Sequence, residues 1–258
     1  MNLIFNLDIA HSYKNNSQKS RVITETWLGD NMYCPICGSP VLLQYKANMP
    51  VADFFCRECK SDFELKSRKR KSSKPQQVIP DGAYKTMIER ITSMNNPHLF
   101  VMTYFNNCVN NLMLIPKFFF VPEIIIRRPP LKENARRAGW VGCNIDISCV
   151  PEDGKIFIIN KGIVVPQNSV IDKYRRILSL QTDNLPKRSW LMDTMSCIDS
   201  ISKEQFTLDD LYAFEKLLKV KHPANNFIKE KLRQQLQFLR DKGFIEFTSR
   251  GHYRKIRL

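Results

Sequence analysis

The chain has 258 residues, of which 43% are hydrophobic and 25% are charged. This is enough apolar material for one large domain or two ordinary domains with buried cores, which excludes a wholly disordered protein. Forty lysines and arginines against 25 acidic residues give a net charge of +15, which favours a polyanionic partner such as nucleic acid.

The apolar segments are too short for a membrane protein. No apolar run approaches the roughly 20 residues that a spanning helix needs. The longest, at residues 118–121 and 124–126, are interrupted by prolines and indicate core strands. Residues 1–9 also lack the basic segment and long apolar run of a signal peptide. We therefore expect a cytoplasmic protein with no membrane partner.

After a predicted helix over residues 14–27, four cysteines form two C-x2-C pairs separated by 18 residues: Cys34, Cys37, Cys56 and Cys59. This spacing is typical of zinc sites. Four thiolates complete a tetrahedron with no open position, so we predict structural Zn²⁺. The alternative is disulfide pairing in a secreted protein. The scattered cysteines are interpreted as buried thiols in a reducing cytosol: Cys108, Cys143, Cys149 and Cys197.

The second cysteine pair interrupts two strand-like segments. Asp53 ends the first, and the turn at the cysteines can reverse the chain so that residues 63–66 return as a second strand. Side chains alternate along a strand, so Glu64 and Lys66 share one face. Pairing of the strands would bring Asp53 to that same side.

This arrangement predicts a cation site. Two carboxylates and backbone oxygens suit Mg²⁺, and the predicted ligands are Asp53, Glu64 and Leu65. Lys66 can orient or help to deprotonate an attacking water and can neutralise developing phosphate charge. The alternative is a surface salt bridge in a charged hairpin.

The middle of the chain mixes helix and strand patterns. Residues 68–75 form a basic segment that we interpret as a solvated, mobile loop that contacts phosphate. A helix is predicted from Asp81-Gly82 to about Met94, with a core stripe at Tyr84, Met87, Ile88 and Ile91. Strands are predicted at residues 99–105, 111–115, 141–147 and 155–159. The pattern indicates an α/β or α+β core over residues 1–183.

From Asn184 onward the pattern changes to short-linked helices. The first helix is predicted at residues 190–201. The second begins after Thr207, which can cap it, with Asp210 in a capping box. The third is predicted at residues 226–242 and ends before Gly243. A two-stranded hairpin around Arg250 follows. Three helices and a basic hairpin predict a winged helix-turn-helix domain over residues 184–258.

The third helix of this domain has two distinct faces. Its apolar stripe contains Ile228, Leu232, Leu236 and Leu239, and the side chains that point away are Glu230, Arg233, Gln234, Gln237 and Arg240. Arginine and glutamine pair bidentately with guanine and adenine edges. We therefore predict DNA contacts by Arg233, Gln234 and Gln237, and by Arg250 in the wing. Winged helices that bind proteins are the alternative.

The spacing between Asp53 and the Glu64-Leu65-Lys66 segment can be compared with known nuclease motifs. Asp53, followed after ten residues by Glu64-Leu65-Lys66, resembles the PD-(D/E)-x-K nuclease superfamily. Pro50 precedes Asp53 by three residues, where that superfamily often has adjacent Pro and Asp. By this resemblance Asp53, Glu64 and Lys66 are the catalytic set.

Essentially the whole chain resembles the DpnI-type methyl-directed restriction endonucleases. The segments that carry this resemblance are the cysteine quartet, residues 52–56, 63–67, 81–84 and 136–140, and the C-terminal residues 228–236. The resemblance implies cleavage of duplex GATC sites that carry N6-methyladenine, with unmethylated sites spared.

Recognition of the methyl group is implied by the resemblance alone, because no sequence pattern indicates it independently. One buried methyl group is worth only about 1 kcal/mol, so discrimination needs a tight apolar pocket or a site that leaves the unmethylated amine badly solvated. Trp140 could supply a flat apolar wall, with Arg136 and Arg137 on phosphate or guanine. The alternative is that Trp140 is a core side chain at the start of a strand.

These observations favour a monomeric, Mg²⁺-dependent type II endonuclease that acts on methylated double-stranded DNA without an obligate protein partner. The main alternative is a non-catalytic DNA-binding regulator built from a zinc ribbon and a winged helix. An RNA-processing nuclease is disfavoured because a helix cannot read the deep, narrow major groove of A-form RNA. Four histidines without an evident nucleophile partner argue against Ser/His hydrolysis.

Overall fold

The computed structural model describes residues 1–46, 52–71 and 77–256. The chain forms two compact units. Unit 1 comprises Met1–Ser148 and Asp153–Leu178, and unit 2 comprises Cys149–Glu152 and Ser179–Leu258. Among the residues described, we find no helix with the length and hydropathy that a membrane span requires.

Unit 1 mixes strands and helices. In chain order its elements are α1 (Asn16–Asn31), β1 (Leu43–Gln44), β2 (Phe54–Phe55), β3 (Asp62–Lys69), β4 (Val78–Ala83), α2 (Tyr84–Thr92), β5 (His98–Phe105), β6 (Cys108–Ile115), β7 (Ile125–Arg127), β8 (Gly142–Asp146), β9 (Ile156–Asn160), β10 (Ile163–Val164) and α3 (Gln167–Leu178). Short 3-10 helices of unit 1 lie at Asp8–Ala10, Lys117–Phe119 and Pro122–Ile124, and two more, Ile147–Cys149 and Glu152–Gly154, each have residues in both units. The predicted mixed α/β class is confirmed.

The central sheet of unit 1 has seven strands in the order β1-β2-β3-β5-β6-β9-β10. β3 and β5 run parallel, and the other pairs are antiparallel. A parallel pair needs a crossover connection, which β4 and α2 supply here. Residues 98–104 of β5 are all buried, as expected for a strand covered on both faces.

A second, antiparallel sheet has the order β4-β8-β7. Asp81 of β4 and Arg127 of β7 both pair with Cys143 of β8. This corrects one prediction: Asp81 and Gly82 lie in a strand, and the helix begins at Tyr84. The strand forms because β8 offers a pairing partner that local sequence does not reveal. The four strands predicted by pattern are confirmed as β5, β6, β8 and β9.

Buried His98 should make the stability of unit 1 sensitive to acid. Its side chain is 2% exposed, and its Nδ1 accepts the Lys117 backbone N–H at 3.2 Å. Burial, helped by the charge of Lys117, lowers the pKa of His98 from 6.5 to about 3. Because the folded pKa is the lower one, the neutral ring's full contribution is present above pH 6.5 and is lost as the pH falls.

We expect the free energy of unfolding to fall by about 1.4 kcal/mol per pH unit below pH 6.5 from this group alone. His98→Gln keeps an oxygen for the Lys117 amide but does not titrate. Urea unfolding of both proteins at pH 7 and pH 5 should therefore show a shallower loss in the variant. Equal losses would contradict the assignment of a neutral, buried His98.

Unit 2 is built from four helices and a small sheet. Its elements are α4 (Leu185–Ser200), β11 (Gln205–Thr207), α5 (Leu208–Tyr212), α6 (Glu215–Lys221), α7 (Ile228–Asp241), β12 (Ile245–Ser249) and β13 (His252–Lys255). The sheet order is β11-β13-β12. The predicted capping box of Thr207 and Asp210 is confirmed, as is the left-handed Gly243 (φ +73°) after α7. The predicted second helix is instead two helices, interrupted at Phe214.

Candidate functional site

The four cysteines of the two C-x2-C pairs lie together. Their Sγ atoms are all within 4.8 Å of one another, with Cys34–Cys59 and Cys37–Cys56 each at 3.6 Å. A tetrahedron with Zn–S bonds of about 2.3 Å has edges of roughly 3.8 Å. All four thiols are free. The cluster therefore could hold a zinc ion.

Both cysteine turns have the same backbone form. The N–H of Gly38 donates to the Cys34 carbonyl at 2.9 Å, and the N–H of Lys60 donates to the Cys56 carbonyl at 3.0 Å. Gly38 and Lys60 both have positive φ, +84° and +57°. The repeated turn aims both cysteine pairs at one point.

The second turn also builds the predicted hairpin. Phe54 of β2 pairs with Phe63 of β3, which confirms the strand reversal. Just before β2, the Asp53 N–H donates to the Phe63 carbonyl at 2.9 Å, and Asp53 Oδ2 accepts the Leu65 N–H at 2.7 Å. The Asp53 carboxylate is thus fixed beside the backbone that joins Glu64 to Lys66. Pro50 and Val51 lie outside the described residues.

Lys66 is held between two carboxylates. Its Nζ lies 2.7 Å from Glu64 Oε1 and 2.5 Å from Asp81 Oδ1. The other Glu64 oxygen is 3.3 Å from Arg90 Nη2. Asp81 comes from β4 in the second sheet, so two sheets and α2 meet at this cluster. The structure therefore brings Glu64 and Lys66 together as predicted and adds Asp81 and Arg90.

Burial and charge act against each other in this cluster. Burial raises the pKa of Glu64, although Lys66 and Arg90 act in the opposite direction. Burial alone would lower the pKa of Lys66, but Glu64 and Asp81 outweigh it and raise that pKa. The pKa of Asp81 is lowered, because Lys66 outweighs the effect of burial. Lys66 is consequently an ammonium group near neutral pH.

Glu25 of α1 is a further carboxylate near Asp53. Burial raises the pKa of Glu25, and the negative charge of Asp53 raises it further by a smaller amount. Gln44 Nε2 donates to Glu25 Oε2 at 3.0 Å, and Arg21 Nε lies 3.8 Å from Oε1. No sequence pattern pointed to Glu25, because α1 is far from the hairpin along the chain.

The acidic side chains around Lys66 offer oxygen atoms, the ligand type that a hard cation prefers. Asp53, Glu64 and Asp81 are three carboxylates against the two cations Lys66 and Arg90. Among the described residues, the cysteine quartet is the only group of three or more His, Cys, Asp or Glu side chains placed so that it could hold a metal ion. An ion at the carboxylates would thus need backbone oxygens and water as well, which is the usual coordination of Mg²⁺.

A basic cleft adjoins the carboxylates. It has a volume of about 610 Å³ and lies between α1 and the C-terminal half of β3. Arg21, Lys66, Arg68 and Lys69 line it, together with Glu25. The predicted basic loop therefore begins later than residue 68, because Arg68 and Lys69 continue β3. Residues 72–75 of that prediction lie outside the described ranges.

Trp140 lies on a turn at the surface of unit 1. The Leu131 N–H donates to the Trp140 carbonyl, and the Gly139 N–H donates to the Leu131 carbonyl, both at 2.9 Å. Trp140 is half-buried, and the guanidinium carbons of Arg128 and Arg137 lie 5.6 Å and 4.6 Å from the centre of its ring. Trp140 is therefore not a fully buried core side chain, and its contact with DNA stays a prediction. Arg136 is exposed on the same turn.

In unit 2 the predicted DNA-contacting side chains are exposed. Arg233, Gln234 and Gln237 all face solvent on α7. Arg233 also bonds Tyr212 Oη at 3.0 Å and Glu230 Oε1 at 3.1 Å, and Gln234 accepts from Lys231 Nζ at 2.7 Å. The exposed Arg250 lies in the turn between β12 and β13. Their contact with DNA stays a prediction.

Two family comparisons cover nearly the whole chain. Residues 1–183 match the family described as DpnI, Dam-replacing family. Residues 186–255 match DpnI_C, described as the Dam-replacing HTH domain. The second match agrees with the helix-turn-helix architecture of unit 2.

Proposed function

The chain belongs to the Dam-replacing family, and from this membership we propose that it is a type II, methyl-directed restriction endonuclease. It hydrolyses phosphodiester bonds of double-stranded DNA at GATC sites that carry N6-methyladenine. The observation that supports catalysis, beyond DNA binding, is the buried Glu64–Lys66–Asp81 cluster beside Asp53. A regulator that only binds DNA has no need of such a cluster.

The residues of the hairpin take the roles of a PD-(D/E)-x-K site. Asp53, Glu64 and the carbonyl oxygen of Leu65 would hold Mg²⁺. When bound, that ion neutralises charge on the reacting phosphate. The Lys66 ammonium orients the attacking water and stabilises the charge that develops on the phosphoryl oxygens. Attack in line forms the new P–O bond as the bond to the leaving oxygen breaks.

The cysteine quartet has a structural role in this proposal. Zn²⁺ held by Cys34, Cys37, Cys56 and Cys59 would fix the turn between β2 and β3. Asp53 and Glu64 flank that turn, and their spacing depends on strand register. A closed sulfur site at the turn therefore supports the carboxylate pair without taking part in the reaction.

Two surfaces contact DNA in this proposal. In unit 2, α7 enters the major groove with Arg233, Gln234 and Gln237, and Arg250 of the wing lies against phosphate. In unit 1, Trp140 supplies an apolar wall for the methyl group. Arg136 and Arg137 hold phosphate or guanine beside it. The protein acts in the cytoplasm as a monomer and needs no obligate protein partner.

The proposal is tested with a labelled duplex oligonucleotide that contains one GATC site, methylated or unmethylated. Binding is measured first with Ca²⁺, and Mg²⁺ is then added and strand incision is followed. We expect incision of the methylated duplex only. Binding of the methylated duplex without incision would instead support the DNA-binding regulator.

Arg250 and Gln237 should differ in their effect on DNA affinity. Arg250→Ala should weaken binding equally for all sequences and reduce the slope of log K against log salt by about 1. Gln237→Ala should cost about 1–3 kcal/mol on the target site and little on other DNA. Fluorescence anisotropy over a salt series measures both. Identical, sequence-independent losses would contradict base reading by α7.

A further inference from the structure

Arg128 links the catalytic lysine to the turn that carries Trp140. It follows β7, and its backbone N–H donates to the Gly142 carbonyl of β8 at 2.9 Å. Its guanidinium then crosses β8 and donates from Nη2 to the Asp81 carbonyl of β4 at 3.3 Å. The same guanidinium carbon lies 5.6 Å from the centre of the Trp140 ring. One side chain therefore contacts both the backbone of Asp81 and Trp140.

This crossing depends on a glycine. A Cβ atom at position 142 would lie 2.0 Å from Arg128 Nη2 and 2.7 Å from its Cζ and Nε atoms. Real side chains do not approach so closely, so any other residue would displace the guanidinium. Gly142 pairs with Ala83 of β4, next to Asp81 and Gly82. The absence of a side chain at 142 thus opens the path from β7 to β4.

The side chain of Asp81 connects this contact to Lys66 at the proposed reaction site. Its side chain is 7% exposed, and its Oδ1 lies 2.5 Å from Lys66 Nζ. Asp81, together with Glu64 at 2.7 Å, therefore holds the ammonium group in place. Arg128 Nε is buried without a hydrogen-bond partner among the described residues. The bond to the Asp81 carbonyl and the Trp140 ring are accordingly the contacts that orient the guanidinium.

We propose that Arg128 is a positioning residue that fixes Asp81, and through it Lys66, relative to Trp140. Contact of DNA with Trp140 and hydrolysis at Lys66 then depend on each other. The inference rests on the proposed nuclease function and on contact of Trp140 with DNA. The test therefore measures the coupling between the two sites directly.

Four single variants and one double variant of the full-length protein provide the test. Arg128→Met removes the guanidinium, Arg128→Lys keeps the charge without its planar geometry, and Gly142→Ala displaces Arg128 without changing charge. Asp81→Asn weakens the hold on Lys66, and it is combined with Arg128→Met. Binding to methylated duplex is measured in Ca²⁺, and cleavage is measured as a single-turnover rate in Mg²⁺ at saturating protein.

All three changes at Arg128 and Gly142 should lower the single-turnover rate by about 5- to 150-fold, the usual range of coupling between sites. The dissociation constant should change less than about threefold. The double variant should be little slower than Asp81→Asn, because both changes break one chain of contacts. The preference for methylated over unmethylated duplex should fall with the rate.

Two matched controls separate this role from others. Arg127→Met removes the neighbouring exposed charge, which lies over Tyr84 at 5.9 Å, and should leave the saturated rate unchanged. Gly29→Ala adds a methyl group whose one neighbour within 4 Å, among the residues described, is Phe54 at an ordinary 3.8 Å. Melting temperatures identify any variant that fails to fold. If Arg128→Met or Gly142→Ala fails to fold, the single-turnover rate of Arg128→Lys, which adds no steric clash, tests the positioning role.

Wild-type rates in Arg128→Lys and Gly142→Ala would overturn the inference. The inference would also be overturned if the two substitutions lowered the single-turnover rate multiplicatively in the double variant. A weaker dissociation constant with an unchanged rate would overturn it too, and would identify Arg128 as a simple phosphate contact. A wild-type protein that cleaves no DNA would overturn the nuclease proposal and this inference together. Wild-type cleavage with unaffected variants would overturn this inference alone.

Discussion

Asp53→Asn should abolish DNA cleavage while leaving DNA binding largely intact. Asparagine keeps an oxygen that can accept the Leu65 N–H, which Asp53 Oδ2 now accepts at 2.7 Å, so the hairpin should keep its form. The change removes the negative charge that would hold Mg²⁺. Loss of several kcal/mol of charge stabilisation corresponds to a rate lower by roughly a thousandfold or more. Single-turnover cleavage and anisotropy in Ca²⁺ measure the two effects separately.

Asp62→Asn is the matched control for this substitution. Asp62 lies at the start of β3 in the same hairpin, but its carboxylate accepts from Tyr45 Oη at 2.8 Å and is exposed. The cleavage rate of Asp62→Asn should stay within about threefold of wild type, because Asp62 lies outside the cluster around Lys66. Cleavage by Asp53→Asn within tenfold of wild type would remove Asp53 from the catalytic set. An equal loss of binding would contradict a purely catalytic role.

Cys56→Ser should release zinc and lower the melting temperature. Structural zinc contributes about 10–16 kcal/mol of apparent binding free energy in small zinc domains. Losing even about 3 kcal/mol of that should lower the melting temperature by roughly 6–12 °C in a chain of this size. Metal content by a colorimetric chelator and thermal unfolding by circular dichroism provide the two readings.

Cys108→Ser is the control, because Cys108 is a free thiol at the start of β6, outside the cluster. It should keep one zinc per chain and the wild-type melting temperature to within a few degrees. If Cys56→Ser also keeps both, the cysteine quartet has no structural role. Loss of cleavage in Cys56→Ser should follow loss of zinc, since the turn then no longer fixes Asp53 against β3.

Local patterns predicted the parts of the fold that depend on neighbouring residues. The two C-x2-C turns and strand alternation were enough to predict the hairpin with Glu64 and Lys66, and the structure confirms that pairing. Thr207 and Asp210 signalled the start of α5, and Gly243 signalled the end of α7. Each of these signals is contained within a few residues of chain.

Contacts between distant segments were not predictable in the same way. Asp81 reaches Lys66 only because β4 pairs with β8, some 60 residues further along the chain, and its local pattern was taken for the start of a helix. β11 was missed because three residues form a strand only through pairing with β13. The domain boundary between residues 183 and 184 and the DNA-contacting residues stay predictions.

Trp140 illustrates the same limit at the candidate site. The strand-like run after it made a core position and a surface position equally compatible with the sequence. The structure places it on a turn because Gly139 adopts a positive φ of +78° and Leu131 bonds back to Trp140. Arg128, which lies over its ring, gave no signal in the sequence because arginines are common in a chain of this charge.

One measurement tests the central claim most directly. A single plasmid is prepared with and without adenine methylation at GATC and is incubated with the protein in Mg²⁺ and then in EDTA. Cleavage of the methylated plasmid only, and only in Mg²⁺, is the predicted result, and it would establish the nuclease, its metal and its methyl dependence together. Retarded mobility of both plasmids without cleavage would contradict the active-site assignment and identify a DNA-binding protein.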